Sequence, residues 1–421
     1  MVDNTSLFLL AINLIGPELS QLLGPLWAEF EKELERLTHE LEQGTPGARQ
    51  RIIGLFRTYP GAYERLVQKI RDLNIEFKEF RKGPTEFITP AMGREFVIVP
   101  IYYVTNRSCP PGRLMSPYYG AGRGELRFGR LEISIPIEHK IGELERPKWW
   151  KLEFTENPRK HITIRGIMEL GWGSFRDNLN ENIEDSSERE SLIFVHGYNV
   201  NFRNAALRTA QIAADLKFEG PTILFSWPSQ GKTLKYLVDE NNAHWATEDL
   251  EKFIRMMLTE TFAKSVHIIA HSMGGRLLTE TLHRLSLSQP FQTEARVRQL
   301  IFAAPDIDAD TFRVLADQFH NRSERCTLYA SSNDEALAFS KKLHGYARAG
   351  DTGESIVVMP GVDTIDASAM DTSFLGHSYY GSKRSVLSDI HDLIRYNHGP
   401  EGRFGLLPRD HALGRYWVFQ A

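Results

Sequence analysis

The chemistry open to this chain centres on Ser272. It lies in the run Ile268-Ile269-Ala270-His271-Ser272-Met273-Gly274-Gly275, where an apolar strand-like stretch enters a corner of small residues and a helical pattern starts at Arg276-Leu277-Leu278. A serine on such a strand-to-helix turn stands at the tip of a sheet, and its neighbours must be small because two backbones converge there. A serine hydroxyl does not attack unaided. It needs a histidine to take its proton and a carboxylate to orient that histidine. For a nucleophile on a turn of this kind the chain order is serine, acid, histidine. The first apolar strand after the serine ends in Ala304-Pro305-Asp306 and the second in Ser331-Ser332-Asn333-Asp334. Asp334 is the preferred acid and Asp306 the alternative, although Asp334 also stands where a helix N-cap would. His377, next to Gly376 in a loop beyond the last strand, is the expected base, whereas His344 and His391 fall in helical patterns.

The developing oxyanion needs two backbone N–H donors. Met273, directly after the nucleophile, supplies one. The other is expected from Tyr198 in the loop His196-Gly197-Tyr198, which closes an earlier buried strand. His196, Trp227, Tyr236 and Trp245 are candidates for the wall of a substrate pocket, with ordinary core packing as the competing explanation for the aromatics. Such chemistry calls for no metal and no organic cofactor. Asp306, Asp308 and Asp310 alternate as in a calcium loop, but Thr311 and Asp317 occupy the positions that would require glycine and a bidentate glutamate.

These groups need a scaffold that delivers strand ends to one edge. Ser191–Val195, Thr222–Trp227, Val266–Ile269, Gln299–Ala304, Cys326–Ala330 and Ser355–Met359 read as buried strands, with helical stretches over 204–216 and 247–261 between them. Strands alternating with helices give a parallel sheet covered on both faces, with functional groups at the carboxyl ends of the strands. Upstream, 96–104, 131–135, 152–154 and 162–167 read as further strands, and 178–190 as a polar surface connection. The glycine-rich stretch 118–124 lacks a phosphate-loop Lys-Ser/Thr pair and reads as a turn. Residues 1–84 show helical spacing, as in Leu26, Trp27, Phe30, Leu34, Leu37 and Leu41, and form an expected helical module that could recruit a protein partner through residues 1–81. Residues 85–421 form the second domain.

The whole-chain balance is that of an ordinary globular protein: 421 residues, net charge −4, 42% hydrophobic and 25% charged. A slightly acidic chain without a basic stripe gives no reason to expect nucleic acid as partner. Two cysteines, Cys109 and Cys326, fit a reducing compartment better than a disulfide framework. The apolar run Leu7–Ile15 is too short to span a bilayer and has no basic residue before it. The expected location is the cytoplasm.

Several stretches carry a family likeness: Tyr103-Val104-Thr105-Asn106-Arg107, Tyr118-Tyr119-Gly120, Phe128-Gly129-Arg130, Phe194-Val195-His196-Gly197-Tyr198-Asn199, Phe225-Ser226-Trp227-Pro228-Ser229, Asp239-Glu240-Asn241-Asn242, His271-Ser272-Met273-Gly274 and Ala303-Ala304-Pro305-Asp306. In them the chain, from about Val99 to Leu393, resembles a bacterial group of alpha/beta hydrolases, esterase/lipase-superfamily proteins of largely unknown function. The resemblance implies an alpha/beta hydrolase fold, a serine nucleophile, and an acid and base at Asp334 and His377. Ala270 departs from the usual glycine, and Gly275 stands where relatives often carry asparagine. The expected activity is a serine hydrolase cleaving small-molecule or lipid carboxylic esters. Two alternatives are a binding or signalling module on the same fold, and acyl transfer or thioester or amide cleavage by the same triad.

Overall fold

The computed structural model describes residues 95–109, 119–147, 156–231, 235–287, 295–319, 322–370 and 386–420, together with parts of 15–65. In the N-terminal part, helix α1 (Trp27–Glu42) buries Phe30, Leu34 and Leu37, whose three- and four-residue spacing puts them on one face. Phe30 meets the rings of Phe56 and Tyr59 edge-on at 5.2 and 5.1 Å, so this part has its own apolar contacts.

Among the described residues the rest of the chain forms one eleven-stranded sheet. Its strands are β1 (Phe96–Arg107), β2 (Arg123–Pro136), β3 (Thr163–Leu170), β4 (Glu190–Val195), β5 (Thr222–Ser226), β6 (Ser265–His271), β7 (Arg296–Ala303), β8 (Ser323–Ala330), β9 (Asp363–Asp366), β10 (Leu406–His411) and β11 (Gly414–Phe419). They lie in the order β10-β11-β9-β8-β7-β6-β4-β5-β1-β2-β3. Every pairing from β11 through to β1 is parallel, and antiparallel strands finish both edges. The helices between are α2 (Trp172–Asp185), α3 (Phe202–Asp215), α4 (Tyr236–Trp245), α5 (Thr247–Glu260), α6 (Met273–Ser286), α7 (Ala309–Phe319), α8 (Glu335–His344) and α9 (Val386–Tyr396).

The central strands are mostly apolar because both faces are covered, with a few buried polar side chains such as Ser191, His267, Gln299 and Thr327 among them. Successive side chains alternate between two cores: Ile193 and Val195 of β4 join Phe253, Leu277 and Phe312 on one face, while Leu192 and Phe194 join Phe202, Leu387 and Leu393 on the other. A strand crossing such a sheet delivers its last residue to the carboxyl edge, and β6 delivers Ser272 there. This is the expected alpha/beta hydrolase architecture.

Three local expectations are corrected. Residues 178–190 are not a plain connection: α2 occupies most of them, burying Phe175, Leu179 and Ile183 at four-residue spacing within an otherwise polar sequence. The apolar run Ser355–Met359 is buried but forms no strand. Its neighbour β9 takes the place beside β8, and Thr364 Oγ1 donates to Val357 O at 2.6 Å to tie the run alongside. The β10–β11 hairpin goes beyond the expected strands. The expected strand at 152–154 and the apolar run 7–15, save Ile15, lie outside the described residues. Among those described, no helix is long and apolar enough to cross a membrane.

Candidate active site

Ser272 joins β6 to α6 with φ of 53° and ψ of −122°, a conformation L-residues avoid unless their surroundings impose it. The imposing contacts are visible. Ser272 N donates to Ala303 O at 2.9 Å, and Ser272 O accepts from Gly275 N at 2.9 Å and Asp306 N at 3.0 Å. Small residues are needed as expected: a Cβ on Gly274 would lie 2.4 Å from His196 O, and one on Gly275 would lie 2.7 Å from Pro305 Cβ. Met273 opens α6 from inside the core, so its N–H belongs to the positive end of that helix.

The loop after β4 runs directly against this corner. A Cβ on Gly197 would fall 2.9 Å from Ser272 Cβ and 2.9 Å from His271 Nδ1. Only glycine lets the backbone leading to Tyr198 approach the serine so closely. The Tyr198 ring turns away to pack on Tyr236, with centroids 5.2 Å apart.

A buried network, built from residues in the family-like stretches that had no role assigned to them, holds this loop. The fully buried Arg107 at the end of β1 donates from Nε to Ser226 Oγ (2.9 Å), from Nη1 to Ser229 O (2.8 Å) and from Nη2 to Val200 O (2.8 Å). Asp239 of α4 accepts from Ser229 Oγ (2.6 Å), Gln230 N (2.6 Å) and Asn199 N (3.2 Å). Together they cross-link the loops after β4 and β5. A lone arginine ending an apolar strand was the sequence signal available for it.

The candidate pocket residues separate by position. His196 and Trp227 are fully buried and stacked, 5.1 Å between centroids, and Trp227 Nε1 donates to His196 O at 2.7 Å. His196 Nδ1 donates to Gly197 O at 2.8 Å, which leaves Nε2 to accept from Arg107 and Ser226, each at 3.3 Å. Burial, with the Arg107 charge beside it, pushes the His196 pKa down to about 3, so the ring is neutral. These two side chains support the loop after β4 from behind. Tyr236 donates its hydroxyl to Asp306 Oδ2 at 2.6 Å. Trp245, at the far end of α4, lines a separate surface hollow of about 560 Å³ with Arg123, Glu248, Glu280 and Arg284. Glu280 lies eight residues along α6 from Ser272, roughly 12 Å at the helical rise, so this hollow is not at the nucleophile.

The two candidate acids differ in surroundings. Asp306 is buried, with Oδ1 accepting from Ser340 Oγ at 2.6 Å and lying 3.4 Å from Arg348 Nε, and Oδ2 taken by Tyr236. Asp334 caps α8, Oδ1 accepting from Leu337 N at 3.0 Å, and is half-buried. Its charge reaches the ring of His271 at the end of β6: burial lowers the His271 pKa and Asp334 opposes that fall. Thus Ser272, Met273, Gly197, Tyr198, Asp306 and Tyr236 share one corner with Asp334 within electrostatic reach of it. His377 lies outside the described residues. Among the described residues no group of three or more His, Cys, Asp or Glu is arranged to hold a metal ion.

Comparison with known proteins follows this geometry. Residues 172–396 match the family described as alpha/beta hydrolase of unknown function (DUF900). The uncharacterized protein alr1448 of Nostoc sp. is 29% identical over a match covering 27% of this chain and 36% of that protein, so the chain spans about a third of that curated relative's length. Two solved structures are similar. One, from Lactobacillus plantarum WCFS1 and described as a cell surface hydrolase, is 11% identical with a TM-score of 0.29 over 50% of this chain and 91% of its own. The other, esterase B from Lactobacillus rhamnosis, is 10% identical with a TM-score of 0.31 over 79% and 94%.

Proposed function

The chain belongs to the family of alpha/beta hydrolases of unknown function, and from that premise we propose that it is a serine hydrolase cleaving carboxylic esters through an acyl-enzyme. The observation that carries this reading is the left-handed Ser272 with Gly197 pressed against it. This pairing brings Ser272 to the N-terminus of α6 and against a second stretch of backbone, which supports reading the two backbones as donors to an oxyanion.

In this mechanism Ser272 Oγ attacks the ester carbonyl carbon while His377 takes its proton, and Asp334 holds the imidazole in the accepting tautomer. The amides of Tyr198 and Met273 receive the carbonyl oxygen as it becomes negative. The intermediate collapses by breaking the carbon–oxygen bond to the alcohol, which leaves with the proton from His377. Water, deprotonated by the same histidine, attacks the acyl-enzyme, and collapse of the second intermediate releases the acid and restores Ser272. The preference for Asp334 rests on its position directly after β8. Asp306, by contrast, already has both oxygens engaged inside the protein.

Labelling with a fluorophosphonate probe tests the nucleophile. The wild-type protein is expected to label and Ser272→Ala to remain blank. Equal labelling of both, or of neither, would refute the assignment.

A further inference from the structure

Beside the serine corner a set of apolar side chains stands in solvent. Helix α8 exposes Phe339 and Leu343, four residues apart on one face, at 50% and 46% of their surface, and Tyr346 follows just past its end at 70%. Helix α4 adds Leu237 at 58% and Val238 at 40%. Single exposed leucines are ordinary on a protein surface, whereas a grouped set calls for an explanation. Tyr236 joins the two helices. Its ring lies 6.0 Å from that of Phe339 and its hydroxyl 2.9 Å from Ser340 Oγ, while on its other side it touches Tyr198 and bonds Asp306. Asp306 N in turn donates to Ser272 O. The patch is therefore two residues removed from the nucleophile.

Among the described side chains at this face, two cations stand apart from any carboxylate. Lys235 and Lys342 are exposed and have no carboxylate partner among the described residues. Nearby carboxylates are engaged elsewhere: Asp351 with Lys341 at 2.6 Å, Glu240 with Arg276 and His344, and Asp334 with the Leu337 amide as the cap of α8. Phenylalanine and leucine on one helix face, flanked by lysines, form the pattern by which a helix lies in a lipid interface, its apolar side chains below the headgroups and its ammonium groups among them.

We propose that the α4–α8 face seats on an anionic lipid surface, so that the ester is drawn from aggregated lipid rather than from free solution. The proposal deepens the ester-hydrolase reading and rests on it for the substrate. The occupant is argued from the lysines at this face, because the chain as a whole carries −4 and is repelled by such a surface.

The test uses full-length Ser272→Ala protein, which binds without turnover, sedimented with vesicles of phosphatidylcholine alone or mixed with an equal part of phosphatidylglycerol. Binding to the anionic vesicles is expected to be at least about tenfold tighter and to weaken with salt. Phe339→Ser combined with Leu343→Ser should lower it by at least about tenfold with the melting temperature retained, as should Lys235→Glu with Lys342→Glu. No binding to either vesicle, or binding unchanged in both double variants, would overturn the proposal. So would a patch that instead joins two copies, seen as a dimer that the Phe339 and Leu343 substitutions dissociate. Vesicle binding without probe labelling of the wild type would remove the catalytic reading alone, and labelling without vesicle binding would remove this surface alone.

Discussion

Gly197→Ala puts one methyl group into the seam between the loop after β4 and Ser272, the proposed oxyanion loop and nucleophile. Gly197 has no left-handed backbone to protect, so alanine is conformationally admissible and the effect comes from contact alone. Its Cβ would lie 2.9 Å from Ser272 Cβ and His271 Nδ1 and 3.0 Å from His271 O. Carbon contacts settle near 3.5–4.0 Å, so the two backbones must separate by about 0.6–1 Å. The serine side is pinned by its bonds to Ala303, Gly275 and Asp306, and the loop side by Arg107 and Asp239, so the displacement is shared or forced on the Tyr198 amide. A misplacement of about 1 Å costs on the order of 10²-fold in rate, and outright loss of one oxyanion donor about 10²–10³-fold. The expected outcome is a kcat for p-nitrophenyl butyrate lowered about 10²-fold with KM little changed, because the lost interaction belongs to the transition state. Overpacking should also cost about 1–3 kcal/mol of stability, read from urea unfolding. A folded Gly197→Ala protein with wild-type kcat would refute both the placement of the oxyanion loop and the mechanism built on it.

The remaining predictions concern the network around that corner. Asp334→Asn should lower kcat by about 10²–10⁴-fold while leaving the fold intact by circular dichroism; the opposite pattern, with Asp306→Asn inactive and stable, would transfer the role to Asp306. Asp306→Asn is instead expected to cost about 3–5 kcal/mol of stability, since it leaves the buried Arg348 without its counter-charge. Arg107→Met should lower the melting temperature and the activity together, because it strips donors from Ser229 O and Val200 O; an Arg107→Met protein of unchanged stability would show that the network is dispensable. His139 provides a pH test distant from the site. Burial alone would lower its pKa, but hydrogen bonds to Asp215 (2.8 Å) and Glu145 (2.9 Å) outweigh burial and raise it to about 9. A raised folded-state pKa means stabilisation that is complete below the unfolded value near 6.5 and lost as pH climbs through 9. The stability difference between wild type and His139→Gln should therefore be at most about 3 kcal/mol at pH 6 and shrink toward pH 9.5; a difference flat across that window would exclude the linkage.

Much of the site was legible because its constraints are local. Small residues on both sides of Ser272, and Gly197 at the end of an apolar strand, are requirements of close backbone approach that a sequence displays directly. The strands β4 to β8 were legible for a related reason: a strand buried on both faces carries a near-continuous apolar run. Legibility failed where partners lie far apart in the chain. Arg107 acts on residues about 90 to 120 positions away, and no local pattern announces that its charge will be spent on carbonyls of other loops. Asp306 and Asp334 looked alike as carboxylates at strand ends, and only the surrounding Tyr236, Ser340 and Arg348 distinguish them. Helix α2 hid because its buried face carries only Phe175, Leu179 and Ile183 as apolar anchors, with the polar Asn180 buried among them. The run Ile356–Val358 misled for the converse reason, being buried beside the sheet without joining its ladder.

The place of β1 bears on how this family's boundaries are drawn. The matched segment begins at residue 172, yet β1 pairs with β5 and carries Arg107 into the loops that frame the serine. A protein cut to the matched segment would present β5 as a raw parallel edge, an open template for sticking to other chains. It would also leave Val200 O and Ser229 O without the donors they now share. In such a sheet the framing of the serine corner depends on an upstream strand that ends in a cation of the right reach.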